Sequence, residues 1–323
     1  MHSIPNVNAG AEATRVAVID IGTNSTRLLV AEVENGALTE VERQTTITRL
    51  GQGVDATGRL ADEAIERVLA AVAVYREVID RHQVAHTIAV ATSAMRDAAN
   101  GEDLRRELQQ RHGIDARTIS GDEEARLTFL GATGARPPNG TRTLVIDIGG
   151  GSTEFVLGAP GTAPDFHVST QAGSVRQTER HLKEDPPAPQ HVADLALEVQ
   201  LIIEGAMPED VRRSAAAGIA VAGTATSLAA IDQGLEPYDP MKVHGYVLEL
   251  GACERMLAML ATLSLEDRRA RPGLHPDRAP TIVAGAAILV EAMRSFGLEA
   301  VETSEADILH GAALAAARPH DGH

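Results

Sequence analysis

One short pattern occurs twice in this chain, and it constrains the fold more strongly than any other feature. Each copy is an apolar segment that ends in Asp-Ile-Gly, passes through small polar residues and becomes apolar again, first around Asp20 and then around Asp147. An apolar segment of this length that ends in a turn is typical of a buried β-strand. Because the copies are about one domain length apart, the repeat predicts two similar α/β halves that face each other across a cleft.

Each copy contains a turn suited to hold phosphate. Glycines let the backbone turn tightly and approach a ligand closely, and consecutive backbone N–H groups in such a turn bind anions. One copy alone is also compatible with an ordinary glycine-rich hairpin, but two copies favour a pair of phosphate-binding turns on opposite walls of the cleft. The candidate phosphate-binding residues are Thr23, Asn24 and Ser25 in the first copy, and Gly149, Gly150, Gly151, Ser152 and Thr153 in the second.

The acids that flank these turns indicate a metal ion. Asp147 and Glu154 would repel a phosphate if they faced it directly. Magnesium prefers oxygen ligands and bridges carboxylates to phosphate oxygens, so a divalent cation between the acids and the ligand resolves the conflict. Asp20 holds the matching place in the first copy and is the third candidate metal ligand.

Two further segments add candidate phosphate contacts. Residues 217–221 read as a strand that leads into Ala-Gly-Thr-Ala-Thr-Ser, where Gly223 and Thr224 open a helix whose N-terminus suits an anion or a nucleotide. Arg96 follows the predicted strand 87–91, and ligand sites of open α/β sheets cluster beyond the carboxyl ends of strands. A solvated charge beside a helix is the alternative for Arg96.

Glu123 and Glu124 lie in the segment Ser-Gly-Asp-Glu-Glu-Ala-Arg-Leu, which begins at Ser120. Serine caps helices, and acids in the first turn favour the positive end of the helix dipole. From the residues alone, both glutamates are therefore most simply explained as part of a helix start.

Composition excludes several classes of protein. A net charge of −16 argues against a nucleic-acid partner. No apolar run is long enough to span a membrane, and residues 1–14 lack the features of a signal peptide. With Cys253 as the single cysteine, no disulfide framework exists, and we expect a cytoplasmic location. The histidines show no ligand spacing, and the P-loop motif is absent.

The pattern of helices and strands divides the chain at the Pro-rich connector 136–140. It predicts a first domain over residues 1–136, a second over 137–303, and a last helix, 304–317, that returns to the first domain. The spacing of apolar residues predicts long helices over 61–82, 248–263 and 281–296. Ser304 with Asp307 resembles a capping box at the start of the last helix.

Four motifs together resemble a known family. The segments 20–27, 120–127, 147–154 and 222–227 occur in the same order in the exopolyphosphatase/guanosine pentaphosphate phosphatase (Ppx/GppA) family. The resemblance spans residues 15–317 and is to the short, two-domain form. It implies two ribonuclease-H-like domains of the actin-like, sugar-kinase and Hsp70 ATPase superfamily, with the site in the cleft between them.

The resemblance also implies roles for individual residues. Glu124 would be the general base that activates water, which replaces its interpretation as a helix-start residue, while Glu123 keeps that role. Asp147 and Glu154 would hold Mg²⁺ or another divalent cation, and Arg96 would contact phosphate. One departure stands out: Pro280 follows Arg278 and Ala279 where the family usually has Asp.

The implied function is hydrolysis of the terminal phosphoanhydride of polyphosphate, with short chains favoured, or of guanosine pentaphosphate in the stringent response, by a homodimer. Two alternatives stay open on the residues. An ATP-binding kinase or ATPase of the same superfamily would share both hairpins, and a polyphosphate or alarmone sensor would bind without releasing phosphate.

Overall fold

A computed structural model describes residues 13–317 of the chain, and within them two mixed β-sheets form the framework. The first sheet has the order β3-β2-β1-β4-β5 and the second the order β10-β11-β9-β6-β7-β8. The strands are β1 (Thr14–Ile21), β2 (Ser25–Glu34), β3 (Ala37–Ile47), β4 (His86–Ala91), β5 (Ala116–Thr118), β6 (Thr143–Ile148), β7 (Thr153–Gly158), β8 (Phe166–Thr170), β9 (Ala217–Val221), β10 (Val247–Glu249) and β11 (Ala300–Thr303).

The two sheets repeat one topology, as the repeated motif predicts. In each sheet three consecutive strands pair antiparallel, β1 with β2 and β2 with β3, then β6 with β7 and β7 with β8. The first strand of each set then pairs parallel with a later one, β1 with β4 and β6 with β9. This arrangement confirms the predicted α/β fold class of two ribonuclease-H-like halves.

Helices cover both faces of each sheet. They are α1 (Val54–Thr57), α2 (Asp62–Arg81), α3 (Ser93–Asp97), α4 (Gly101–His112), α5 (Gly121–Thr133), α6 (Ser174–His181), α7 (Pro189–Ala206), α8 (Glu209–Arg212), α9 (Ala222–Gln233), α10 (Pro240–Val243), α11 (Leu250–Thr262), α12 (Leu265–Arg269), α13 (Ile282–Phe296) and α14 (Ile308–Ala316). A 3-10 turn covers Pro276–Arg278. None of these helices combines the length and the apolar character needed to cross a bilayer.

Alternation along the central strands fills two apolar layers for each sheet. Ala17 and Ile19 of β1 face the layer formed with α2 and α4, whereas Val16 and Val18 face α14. Successive side chains of a strand point to opposite faces, which explains this division. In the second sheet, the even-numbered residues of β6 pack toward α7, α9, α11 and α13, and Val145 packs toward α5.

Two helices, α5 and α14, each pack on the sheet of the other half, and they cross each other between the two sheets. Helix α5 follows the first sheet in sequence but packs on the second, and α14 follows the second sheet but packs on the first. They cross closely because both carry glycine at the contact. A Cβ on Gly131 would lie 1.8 Å from the carbonyl oxygen of Asp307, and one on Gly311 would lie 1.7 Å from that of Leu127. Helix α14 thus packs on the first sheet, while the domain division at residue 136 and the assignment of residues 304–317 to the first domain stay predictions.

Some predicted boundaries were wrong. The last helix begins at Ile308, and its N-cap is Asp307, whose carboxylate accepts a hydrogen bond from the backbone N–H of Leu309 at 3.0 Å. The hydroxyl of Ser304 instead donates to the carbonyl oxygen of Ala306 at 2.9 Å. The predicted helix 248–263 begins only at Leu250, because Leu248 belongs to β10 and pairs with Val301 of β11.

Candidate functional site

The two repeated turns meet at the centre of the molecule. Each has the same backbone hydrogen bond, from Gly22 N to Ser25 O and from Gly149 N to Ser152 O, both at 3.0 Å. A Cβ on Gly150 would lie 3.0 Å from the side chain of Thr23, so only glycine lets the turns approach this closely. The sequence predicted these turns on opposite walls, and the structure places them in contact across the cleft.

A cavity of about 80 Å³ lies between the turns and the N-terminus of α9. Its wall includes most of the candidate residues: Asp20, Thr23, Asn24, Ser25, Glu124, Asp147, Gly149, Gly150, Gly151, Ser152, Gly223 and Thr224. The structure thus brings all three predicted turns and three of the four candidate acids to one small space.

Three candidates do not line this cavity. The hydroxyl of Thr153 is buried and donates to the carbonyl oxygen of Ala172 at 2.5 Å, so it is not free to bind phosphate. The carboxylate of Glu154 accepts from the Ser169 hydroxyl at 2.7 Å. Arg96 donates to the carbonyl oxygen of Ile119 at 3.0 Å and to Glu124 at 3.3 Å, so it lies behind the glutamate.

Glu124 is a buried carboxylate whose environment favours its protonated form. It lies in the first turn of α5, where the Ser120 hydroxyl caps the helix by accepting from the N–H of Glu123 at 3.2 Å. Burial, together with Glu154 and Asp147, raises the pKa of Glu124 well above its usual value, and Arg96 opposes this shift. Glu123 instead forms a surface ion pair with Arg117, so the two neighbouring glutamates differ in their surroundings, while the general-base role of Glu124 stays a prediction.

Asp147 and Glu154 face each other across adjacent strands. They are register partners in the antiparallel pair of β6 and β7, and therefore lie on the same face of the sheet. Burial, followed by repulsion from Glu154 and Asp307, raises the pKa of Asp147 to about 8. Burial also raises the pKa of Glu154, although the hydroxyls of Ser169 and Ser152 limit the shift. This hairpin therefore places two buried carboxylates side by side on one face of the sheet.

The first hairpin differs at the matching position. Asp20 pairs in register with Arg27, not with an acid, and its Oδ2 accepts two hydrogen bonds from Arg27 at 2.6 and 3.0 Å. Arg27 also forms an ion pair with Asp307. The other oxygen of Asp20, Oδ1, is buried without a hydrogen-bond partner. Burial raises the pKa of Asp20, and Arg27 opposes the shift.

The third turn carries an arginine that belongs to a distant part of the chain. Ala222 adopts a φ of 62°, which is rare for a residue other than glycine and is typical of a strained functional site. A Cβ on Gly223 would lie 1.3 Å from Nη1 of Arg278, so the guanidinium lies directly on the glycine. Burial and the nearby Arg27 lower the pKa of Arg278.

Comparison with known proteins decides the family. The sequence model of the Ppx/GppA phosphatase family matches residues 29–318. The chain belongs to the Ppx/GppA phosphatase family. The resemblance inferred from the four motifs is therefore confirmed.

Three relatives match this Ppx/GppA chain over nearly their whole length. It is 40% identical to Exopolyphosphatase 2 of Mycobacterium tuberculosis over 325 residues, which cover 94% of this chain and 99% of that protein. Among solved structures, an exopolyphosphatase-like protein is 34% identical with a TM-score of 0.89, covering 95% of this chain and 98% of that one. The Aquifex aeolicus member of the Ppx/GppA family is 30% identical with a TM-score of 0.81, covering 96% and 100%.

The acids of this Ppx/GppA chain fit a hydrated divalent cation better than a bare one. Within residues 13–317, no group of three or more His, Cys, Asp or Glu side chains is close enough to form a ready-made metal cage. Magnesium, however, keeps several waters and uses only one or two carboxylates. The free Oδ1 of Asp20 and the adjacent carboxylates of Asp147 and Glu154, whose ionised forms burial disfavours, suit such an ion.

Sequence reasoning missed several residues of the site. Arg27 ends the first motif and was not predicted for the site, although it follows Asp20 by the same interval at which Glu154 follows Asp147. The repeat itself therefore carries a signal for Arg27. Arg278 and Ser169 have no comparable local signal, because only the fold brings them to the cavity and to Glu154.

Proposed function

We propose that this protein is an exopolyphosphatase that removes the terminal phosphate of inorganic polyphosphate. The observation that carries the proposal is the position of Glu124, a buried acid that lines a small cavity between two glycine-rich turns. Membership of the Ppx/GppA family and the identity with Exopolyphosphatase 2 of Mycobacterium tuberculosis support the choice of substrate. The size of the cavity suits the end of a chain, because it holds one reacting group and not a continuous strand.

Glu124 acts in this proposal as the general base. Its carboxylate takes a proton from a water molecule while the water oxygen bonds to the terminal phosphorus and the bridging P–O bond breaks. The bonding electrons leave with the shortened chain, and orthophosphate is released. A pKa raised by burial brings the base nearer to working pH, where general-base catalysis is most effective. Arg96 positions the carboxylate through their contact at 3.3 Å.

Backbone N–H groups supply most of the remaining catalysis in this proposal. Transfer of a phosphoryl group depends mainly on positioning and on neutralising the oxygens. The two turns around Thr23 and Gly150 hold the terminal phosphate from opposite sides, and Arg27 and Arg278 add positive charge. Asp147, Glu154 and Asp20 would hold Mg²⁺, which neutralises phosphate oxygens when bound.

The decisive experiment measures orthophosphate release from polyphosphate, with and without Mg²⁺. Glu124→Gln should lower kcat by about 10²–10⁴-fold, because that is the usual contribution of a general base. Glu123→Gln is the matched control and should stay within about threefold of the wild type, because Glu123 lies on the surface and pairs with Arg117. Near wild-type activity of Glu124→Gln would refute the assigned mechanism.

Guanosine pentaphosphate is the second candidate substrate. A larger groove beside the cavity has an apolar and aromatic side, which includes Tyr238 and Leu235 and could accept a nucleoside. Parallel assays with polyphosphate, guanosine pentaphosphate and ATP separate the candidates. Transfer from ATP to an acceptor would favour a kinase, and binding without release of phosphate would favour a sensor. The proposal also includes a cytoplasmic homodimer, which sedimentation and cell fractionation test.

A further inference from the structure

A groove of about 1210 Å³ opens beside the catalytic cavity. The cavity and the groove share part of their walls, including Arg27, Gly223 and Arg278. The two spaces therefore adjoin at these residues, and the groove is the space next to the cavity on the far side of Arg27 and Arg278. Because the groove is much larger than the cavity, it has room for the part of the substrate that follows the reacting phosphate.

Arginines without a partner are concentrated in this groove. Most arginines of this acidic chain form an ion pair with a carboxylate or donate a hydrogen bond to a carbonyl oxygen. Among residues 13–317, the arginine side chains that do neither are Arg59, Arg126, Arg255, Arg269, Arg271 and Arg278. The last three line the groove, and these three lie within ten consecutive positions of the chain, residues 269–278. A free guanidinium binds phosphate oxygens well, because its donors match them in pairs.

The carboxylates of the groove do not neutralise these arginines, because most have other partners. Glu40 binds His310 at 2.8 Å, and Asp277 binds Arg49 at 2.9 Å. The two remaining paired acids are Glu305, which binds Arg43 at 2.6 Å, and Asp307, which binds Arg27. Glu236 is the one lining carboxylate for which the described residues show no such partner. The groove therefore presents unpaired positive charge in a protein of net charge −16.

The segment that carries Arg269 and Arg271 is anchored at two points. Arg268 is buried and binds Asp185 at 2.7 Å, which fixes the end of α12. Gly273 has a φ of 84°, and a Cβ there would lie 2.4 Å from the carbonyl oxygen of Ala230, so the loop packs directly on α9. Arg269 and Arg271 are exposed between these anchors. Their backbone positions are thus set before any ligand binds.

We propose that Arg269 and Arg271, the distal arginine pair, bind internal phosphates of the polyphosphate chain while its end is hydrolysed. The inference rests on the proposed exopolyphosphatase function and extends it to the length of the substrate. Only chains that reach beyond the cavity and past Arg278 contact the distal arginine pair. The pair therefore lowers KM for long chains and has no effect on short ones.

The test compares Arg269→Gln/Arg271→Gln with Arg59→Gln/Arg255→Gln. The control removes the same charge from two equally unpaired arginines outside the groove. Substrates are tripolyphosphate and long-chain polyphosphate, each assayed over a range of salt concentrations. We expect the groove variant to raise KM for the long chain about tenfold with kcat unchanged, as two exposed charge contacts support. We also expect a loss of about 1.4 in the slope of log KM against log salt, at roughly 0.7 for each phosphate contact.

The outcomes separate the inference from the proposed function. An equal rise in KM for short and long chains, or an equal effect in the control, would overturn the proposed role of the distal arginine pair. So would a loss confined to guanosine pentaphosphate, which would place a nucleoside in the groove. Failure of the wild type to release phosphate from any chain would instead overturn the proposed function. Binding of labelled long-chain polyphosphate then still tests the pair, because weaker binding by the groove variant alone supports it.

Discussion

The register pair Asp147 and Glu154 controls how the stability of the folded protein depends on pH. Burial raises the pKa of Asp147 to about 8, well above its usual value. An acid with a higher pKa in the folded state binds its proton more tightly there, so its contribution to stability is full below the unfolded pKa and is lost as pH rises through the folded pKa. Without metal, the free energy of unfolding should therefore fall between about pH 4 and about pH 8.

Asp147→Asn should flatten this dependence. We expect its free energy of unfolding in EDTA to exceed that of the wild type by about 2 kcal/mol near pH 8, because the buried charge is gone. Near pH 4 the difference should be small. Urea unfolding at both pH values measures this effect, and Glu77→Gln on the surface of α2 is the control. An unchanged pH slope in Asp147→Asn would show that Asp147 ionises normally.

Magnesium should reverse the pH effect in the wild type. A cation that binds only the folded state stabilises it by mass action, and it binds more tightly when its carboxylates are ionised. We therefore expect Mg²⁺ to raise the midpoint of thermal unfolding more near pH 8 than near pH 6. Asp147→Asn and Glu154→Gln should each lose most of this gain. Equal gains in wild type and variants would place the ion elsewhere.

Individual side chains show where sequence reasoning succeeds and fails. The positions of residues within the repeated turns follow from local chemistry, and Thr23, Gly150 and Asp147 all line the cavity, while their roles stay predictions. Thr153 has the same local context, but its hydroxyl donates a hydrogen bond to the carbonyl oxygen of Ala172, which only the folded chain brings near. Arg278 is the opposite case, because the resemblance drew attention only to Pro280 beside it, and the fold alone brings its guanidinium to the cavity.

Among the secondary-structure elements, the crossing of α5 and α14 holds the two halves together. Gly131→Ala should destabilise the protein by about 1–3 kcal/mol, because an added Cβ would lie 1.8 Å from a backbone carbonyl that cannot move alone. Gly205→Ala in α7 is the matched control, since a Cβ there meets nothing within 4 Å and alanine favours a helix. Urea unfolding measures both. Equal stability of the two variants would show that the crossing tolerates expansion.

Elements with a strong periodic pattern were predictable, and those defined by tertiary partners were not. Helix α2 was predicted over 61–82 and runs from Asp62 to Arg81, because its apolar face is continuous. Strand β10 was missed because Leu248 continues the apolar pattern of α11. Its extended conformation depends on pairing with β11, which the local sequence does not encode.

At the scale of the whole molecule, the repeat predicted two halves, but their connection depends on packing. No local signal shows that α5 leaves its own half to cover the other sheet, because an apolar helix face fits either sheet. The ion pairs that join the two halves beside the second turn are equally absent from the local sequence pattern. They join residues far apart in sequence, such as Asp55 with Arg176 and Arg180.

Arg176 is the centre of these ion pairs. From α6 it donates to the carbonyl oxygen of Gly151 at 2.8 Å, within the glycine-rich turn of the second half. It also binds Asp97 of α3 at 2.9 Å, as well as Asp55 of α1, both in the first half. Arg180 binds the same Asp55 at 2.8 Å but does not contact the turn. Arg176 thus links the glycine-rich turn of the second half directly to two acids of the first half.

Arg176→Gln should therefore impair catalysis more than Arg180→Gln, although both remove one charge from the same ion-pair cluster. We expect kcat/KM for polyphosphate to fall about 10–100-fold in Arg176→Gln, mainly through KM, because the turn is no longer held against the first half. Arg180→Gln should lose less than about threefold, as is usual for a partly exposed ion pair. Steady-state kinetics at low and high salt measure both. High salt should lower kcat/KM of the wild type toward that of Arg176→Gln, since salt screens exposed ion pairs. Equal losses in the two variants would mean that general charge, and not the contact with Gly151, holds the cleft closed.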